Sequence, residues 1–137
     1  MGYRLRSGIG RRSMSLRSPL GKIRGLGSAK SGTHHWWMQK VTAIALIPLT
    51  VWFVSSAVQM TQADYGAVVK WMSSPVVAVL MMLFIITGIY HLKLGLQVII
   101  EDYIHSEGQK VALQMFVTFG CVFIGMLAVF SILKIAL

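Results

Sequence analysis

The chain has 137 residues, of which 55% are hydrophobic and only 12% charged, and its mean hydropathy is +0.69. Soluble domains carry about 25% charged residues, so too few polar side chains are present to cover a globule in water, and the lipid bilayer is the natural solvent. The net charge of +9 resides in residues 1–40, which hold nine of the 13 basic residues and no acid, whereas the remainder balances four against four; ahead of long apolar runs, such a block reads as a topological anchor and not as a nucleic-acid-binding arm.

Residues 1–31 are rich in Arg, Ser and Gly without helical or strand periodicity, and are expected to form a flexible basic arm. An acid-free, Arg- and Ser-rich start also has the character of a mitochondrial transit peptide, while the apolar core of a secretory signal is missing. Where the chain enters the membrane, His34 and His35 adjoin Trp36 and Trp37, a position that indole rings favour. Three apolar stretches follow near 42–60, 76–100 and 111–137. Each has about the length that crosses a ~30 Å hydrocarbon layer, so an all-α integral membrane protein with three transmembrane helices is predicted, residues 32–137 forming one membrane-anchor domain. The arm is expected on the cytoplasmic or matrix side, which puts the second linker inside and the C-terminus outside. Pro48 lies within the first span, where neighbouring helices can satisfy the carbonyl it frees. Cys121 lies inside the third span without a second cysteine, so neither a disulfide nor a cysteine zinc site can be built.

The second span carries the chemistry. His91, Lys93, Glu101 and Asp102 interrupt a run otherwise apolar enough to cross a membrane, and ionisable residues at such depth are functional by default. At 100° per residue, Gly88 and Gly95 fall within about 60° of His91, and Asp102 within about 20°. Glycines one turn either side of a histidine leave room for a flat, wide ligand such as a porphyrin while the imidazole reaches its iron. The residues equally permit tight helix packing at the glycines with His91 hydrogen-bonded across the interface. Asp102 and Tyr103 end the span about 16 Å along the axis from His91, a depth that suits a quinone headgroup as well as an interfacial aromatic anchor beside a solvated acid. Lys93 lies about 200° from His91 and has no evident partner. A small transporter subunit, with His91, Lys93 and Glu101 along a proton or cation path, is a reading from a different class.

Two segments, GTHHWWMQKVTAIALIPL at 32–49 and HLKLGLQVIIEDYIH at 91–105, make up about a quarter of the chain. In them the sequence resembles the smaller hydrophobic membrane-anchor subunit of succinate dehydrogenase, respiratory complex II. The resemblance implies that His91 is one axial ligand to the iron of a haem b shared with a second, cytochrome b-type hydrophobic anchor, with Gly88 and Gly95 packing on the haem. Tyr103 matches the tyrosine that hydrogen-bonds ubiquinone, and Asp102 its acidic neighbour. His34 and Lys40 match residues near the haem propionates; Lys40 stands where relatives have arginine and loses the planar fork, and His35 is an alternative to His34. By the same resemblance the chain is a subunit without catalysis of its own. It docks flavoprotein and iron–sulfur subunits so that electrons from succinate reach ubiquinone in a bacterial inner membrane, or alternatively a mitochondrial one. The anchor of a quinol:fumarate reductase is the closest rival.

Overall fold

The computed structural model describes the backbone of residues 28–137 and the side chains of residues 32–137. The expectation of a flexible arm therefore lies outside the described residues as far as residue 27. From Ser28 onward the chain is already helical.

Among the described residues, four helices follow one another: α1 (Ser28–Met60), α2 (Tyr65–Met72), α3 (Pro75–Tyr103) and α4 (Glu107–Ala136). Three of them are long and apolar enough to cross a membrane, with spans of 29, 29 and 30 residues. Helices suit this solvent because each satisfies its own backbone donors and acceptors where no water can. Each begins before the apolar stretch that signals it, because the backbone keeps its helical hydrogen bonds into more polar sequence. Pro75 opens α3 at the first helical position, with Ser74 as its cap, where a proline forfeits no helical hydrogen bond. Glu107 and Lys134 stand in the first and last turns of α4, each at the end whose dipole charge it complements. That accounts for a lysine at the end of the chain remote from the basic arm.

The short helix α2 stands within what the sequence suggests is a plain linker. Asp64 caps it, its carboxylate accepting from the Ala67 N–H at 3.2 Å, and the indole of Trp71 stacks on Trp52 of α1 with centroids 6.2 Å apart. Ser73, just beyond its end, lies 2.8 Å from the Val69 carbonyl and 3.2 Å from that of Ile135 in the last turn of α4.

Within residues 34–137, α3 and α4 make the most extensive helix contact. Gly125 of α4 lets the Ile89 side chain of α3 approach; an added Cβ would stand 3.5 Å from Ile89 Cδ1. Contact between α1 and α3 is confined to a narrow stripe. Phe53 stacks on Phe84 at 4.7 Å, Leu46 covers Gly88, and Gln39 covers Gly95, so the pairs descend α1 as they ascend α3, as antiparallel neighbours must. Little else is enclosed: Ala78, Leu94, Ile100, Ile132 and Thr42 are the buried residues among those described. The most apolar windows of the three spans are only 6%, 6% and 11% buried. Apolar side chains exposed all round a helix require lipid or another protein as their surroundings.

Candidate functional site

His91 sits midway along the α1–α3 stripe, half-buried. Its Nδ1 lies 2.9 Å from Thr42 Oγ1. The Thr42 hydroxyl is itself 2.8 Å from the Met38 carbonyl and 3.1 Å from that of Gln39, so its single hydrogen is committed to the backbone of its own helix. Toward the imidazole the hydroxyl oxygen must accept and Nδ1–H must donate. In the tautomer with Nδ1–H donating to Thr42, a neutral ring presents the Nε2 lone pair, the arrangement in which a histidine binds a metal while its other nitrogen is fixed by an outer partner. Thr42 is 7% exposed, so the bond is shielded from competing water.

His91 also lines an open groove of about 420 Å³ with Ala43, Leu46, Ile47, Thr50 and Val51 of α1. Apart from the ring and the Thr50 hydroxyl its walls are apolar. Among the described residues there is no group of three or more His, Cys, Asp or Glu able to hold a metal ion. Any metal at His91 would therefore draw its remaining ligands from outside the described residues.

The glycines on either side face α1. A Cβ added at Gly88 would meet Leu46 Cδ2 at 3.9 Å, and one at Gly95 would meet Gln39 Nε2 at 3.8 Å, both ordinary contact distances. The space over each glycine is thus occupied by an α1 side chain, and what they touch is helix packing.

One and two turns from Thr42 toward the arm, α1 presents Gln39 and His35. Gln39 Oε1 and His35 Nε2 are buried and have no hydrogen-bond partner. His34 is exposed. Lys40 is exposed too, its ammonium 5.4 Å from the Trp36 ring centroid, and Trp36 in turn lies 6.4 Å from Trp37. Asp102 and Tyr103 close α3 and are exposed, Tyr103 by 76%. The structure thus gathers His91, Gly88 and Gly95 with three residues the sequence did not single out, Thr42, Leu46 and Gln39. It leaves Tyr103 and Asp102 three turns away at the arm-side end of α3.

Lys93 turns to the other neighbour, lining a small cavity between α3 and α4 with Gln97, Ile100, Gln114, Val117 and Thr118. Glu101 Oε1, nearby, accepts from Gln97 at 3.0 Å and from Gln114 at 3.3 Å. This polar seam is separate from the His91 stripe.

Comparison with known proteins supplies a context for this arrangement. Residues 14–129 match the family described as succinate dehydrogenase/fumarate reductase transmembrane subunit. Curated proteins named succinate dehydrogenase hydrophobic membrane anchor subunit are similar in sequence. That of Rickettsia bellii is 36% identical over 64% of this chain and 70% of its own length. That of Rickettsia conorii is 33% identical over 74% and 81%, and that of Paracoccus denitrificans 32% identical over 75% and 80%. No solved structure matches.

Proposed function

The chain belongs to the succinate dehydrogenase/fumarate reductase transmembrane subunit family, and from that premise we propose that it is the anchor through which a succinate-oxidising complex holds haem b and reduces ubiquinone. It is a multi-pass inner-membrane protein and a hydrophobic anchor of a succinate dehydrogenase. The bacterial cytoplasmic membrane, with the basic arm inside, is the location proposed.

The residues fit a haem. The observation that carries the reading is the Thr42–His91 hydrogen bond of 2.9 Å, which leaves Nε2 of an intramembrane histidine free to bind iron. A porphyrin supplies four nitrogen ligands of its own, which answers the want of further metal-binding residues nearby. The apolar groove beside the ring suits its flat face. The buried, unpartnered Nε2 of His35 favours this residue over exposed His34 as the hydrogen-bond donor to a propionate. Lys40 contributes positive charge from the same helix end, and Gly88 and Gly95 lie beneath Leu46 and Gln39 of α1 on either side of the ring. The second axial ligand would come from a second hydrophobic anchor.

When bound, haem b stores and passes single electrons. The work of this chain's residues around it is to hold the imidazole in one tautomer, exclude water from the Nδ1 bond, and neutralise carboxylates at the arm-side edge. Reduction of ubiquinone takes two electrons and two protons. In this reading the Tyr103 hydroxyl donates to a quinone carbonyl, and Asp102 beside it passes protons from water to the reduced oxygens. Flavin and iron–sulfur clusters belong to partner subunits, since one cysteine cannot bind a cluster.

Two measurements on the purified complex test the proposal. A dithionite-reduced minus oxidised spectrum is expected to show a b-type α-band that His91→Leu abolishes or shifts; an unchanged spectrum and redox titration refute the ligand assignment. Tyr103→Phe is expected to lower succinate:quinone reductase activity about tenfold or more while electron transfer to an artificial acceptor persists. Quinone reductase activity equal to that of the unsubstituted complex would remove Tyr103 from the quinone site, whereas equal loss of both activities marks failed assembly.

A further inference from the structure

Lys93, Gln97 and Glu101 recur at a spacing of four along α3, and Gln114 and Thr118 do so along α4, so the two helices bring five polar side chains to one seam. Glu101 Oε1 accepts from Gln97 Nε2 at 3.0 Å and from Gln114 Nε2 at 3.3 Å. An ionised carboxylate can only accept, so each amide turns its NH₂ group to Glu101 and keeps its carbonyl oxygen unengaged. Lys93 is half-buried, about 12 Å along the axis from Glu101 toward the membrane interior. It makes no ion pair or hydrogen bond among the described residues, although a charge at such depth calls for pairing. Thr118 is unengaged as well. Thr42, Thr61, Ser73 and Ser131 each donate to a carbonyl three or four residues back, whereas the Thr118 hydroxyl makes no hydrogen bond among the described residues.

The cavity that Lys93, Gln97, Gln114 and Thr118 line with Ile100 and Val117 has a volume of about 10 Å³, the room that one water molecule needs. Its four polar residues offer two donors, the Lys93 ammonium and the Thr118 hydroxyl, and two acceptors, the carbonyl oxygens of Gln97 and Gln114. We propose that this cavity binds a single ordered water that joins Lys93 to Glu101 as a water-bridged ion pair. The water accepts from Lys93 and Thr118 and donates to the two amide oxygens, so all four of its hydrogen-bond positions are filled. The same amides donate to Glu101, and the low dielectric of the seam strengthens each bond between cation and anion. A lysine without a direct partner thereby gains a counter-charge on its own chain, and α3 and α4 gain a polar joint. No proton is transferred and no group changes its charge. The inference does not rest on the haem or the quinone reading.

The test uses the assembled complex in lipid nanodiscs. An electron cryo-microscopy map that resolves ordered water is expected to show one density within hydrogen-bond distance of Lys93 Nζ, Thr118 Oγ1 and the two amide oxygens. An empty cavity, or an ammonium bonded instead directly to an amide, to a lipid or to a partner subunit's side chain, overturns the proposal. The half-life of the intact complex on heating, followed by gel filtration, gives a second readout. Lys93→Met and Glu101→Gln should each shorten it about threefold or more. Together they should shorten it no further than the more harmful of the two, because both break the same pair. Effects that multiply, or single variants that leave the half-life unchanged, overturn the proposal. The map needs no variant and decides the matter even where Lys93→Met fails to assemble.

Discussion

Thr42 and His91 divide one task between two helices: the threonine fixes which nitrogen carries the proton, and the histidine presents the other. Outer partners of metal-bound histidines contribute about 10–100-fold in metal affinity. Thr42→Val, which keeps the side-chain shape and removes the hydroxyl, should therefore lower haem retention by about that factor, whereas Thr42→Ser should restore it. Pyridine haemochrome content after detergent extraction measures both. His91 was legible in the sequence because an imidazole in apolar surroundings demands an explanation. Thr42 was not, because a helical threonine satisfies itself on its own backbone, here at the Met38 carbonyl, and only a second helix reveals that its oxygen also accepts. Gln39 escaped notice for a related reason: at the polar margin of a span an amide reads as ordinary boundary composition.

At the level of elements, the α1–α3 stripe tolerates little bulk but is not fully closed. Cβ atoms at Gly88 and Gly95 would sit at ordinary contact distances of 3.9 and 3.8 Å. Gly88→Ala and Gly95→Ala should leave assembly and the visible spectrum near normal. Gly95→Leu should displace Gln39 and part the helices, costing about 1–3 kcal/mol as an overpacked contact; recovery of intact complex after gel filtration separates the cases. The three spans were readable because 20 or so apolar residues in sequence admit few other fates. Their ends were not: the helices continue through 28–41 and 101–103, where polarity rises but the backbone keeps its hydrogen bonds. The eight residues of α2 are too short for periodicity to register. Asp64, which caps the helix through the Ala67 N–H, was the available sign.

For the whole molecule, charge decides which way the spans face. With the arm inside, Thr61 to Ser74 and Leu137 lie outside, and residues 104–106 inside. Single cysteines placed at Ala63, Ser106 and Leu137 in a Cys121→Ser background test this with a membrane-impermeant maleimide on intact cells or spheroplasts. Labelling of the first and last but not the second is expected, and the reverse pattern inverts the topology. The paucity of enclosed side chains has a consequence for how such a chain can change over generations. Outward positions such as Phe116, Phe119 and Phe123 on α4 are 65–77% exposed, and where such a face meets lipid, the tails distinguish poorly between one hydrocarbon and another. Drift among Leu, Ile, Val and Phe should run freely there, while heritable constraint concentrates on the thin line of polar and small residues between the first and second spans.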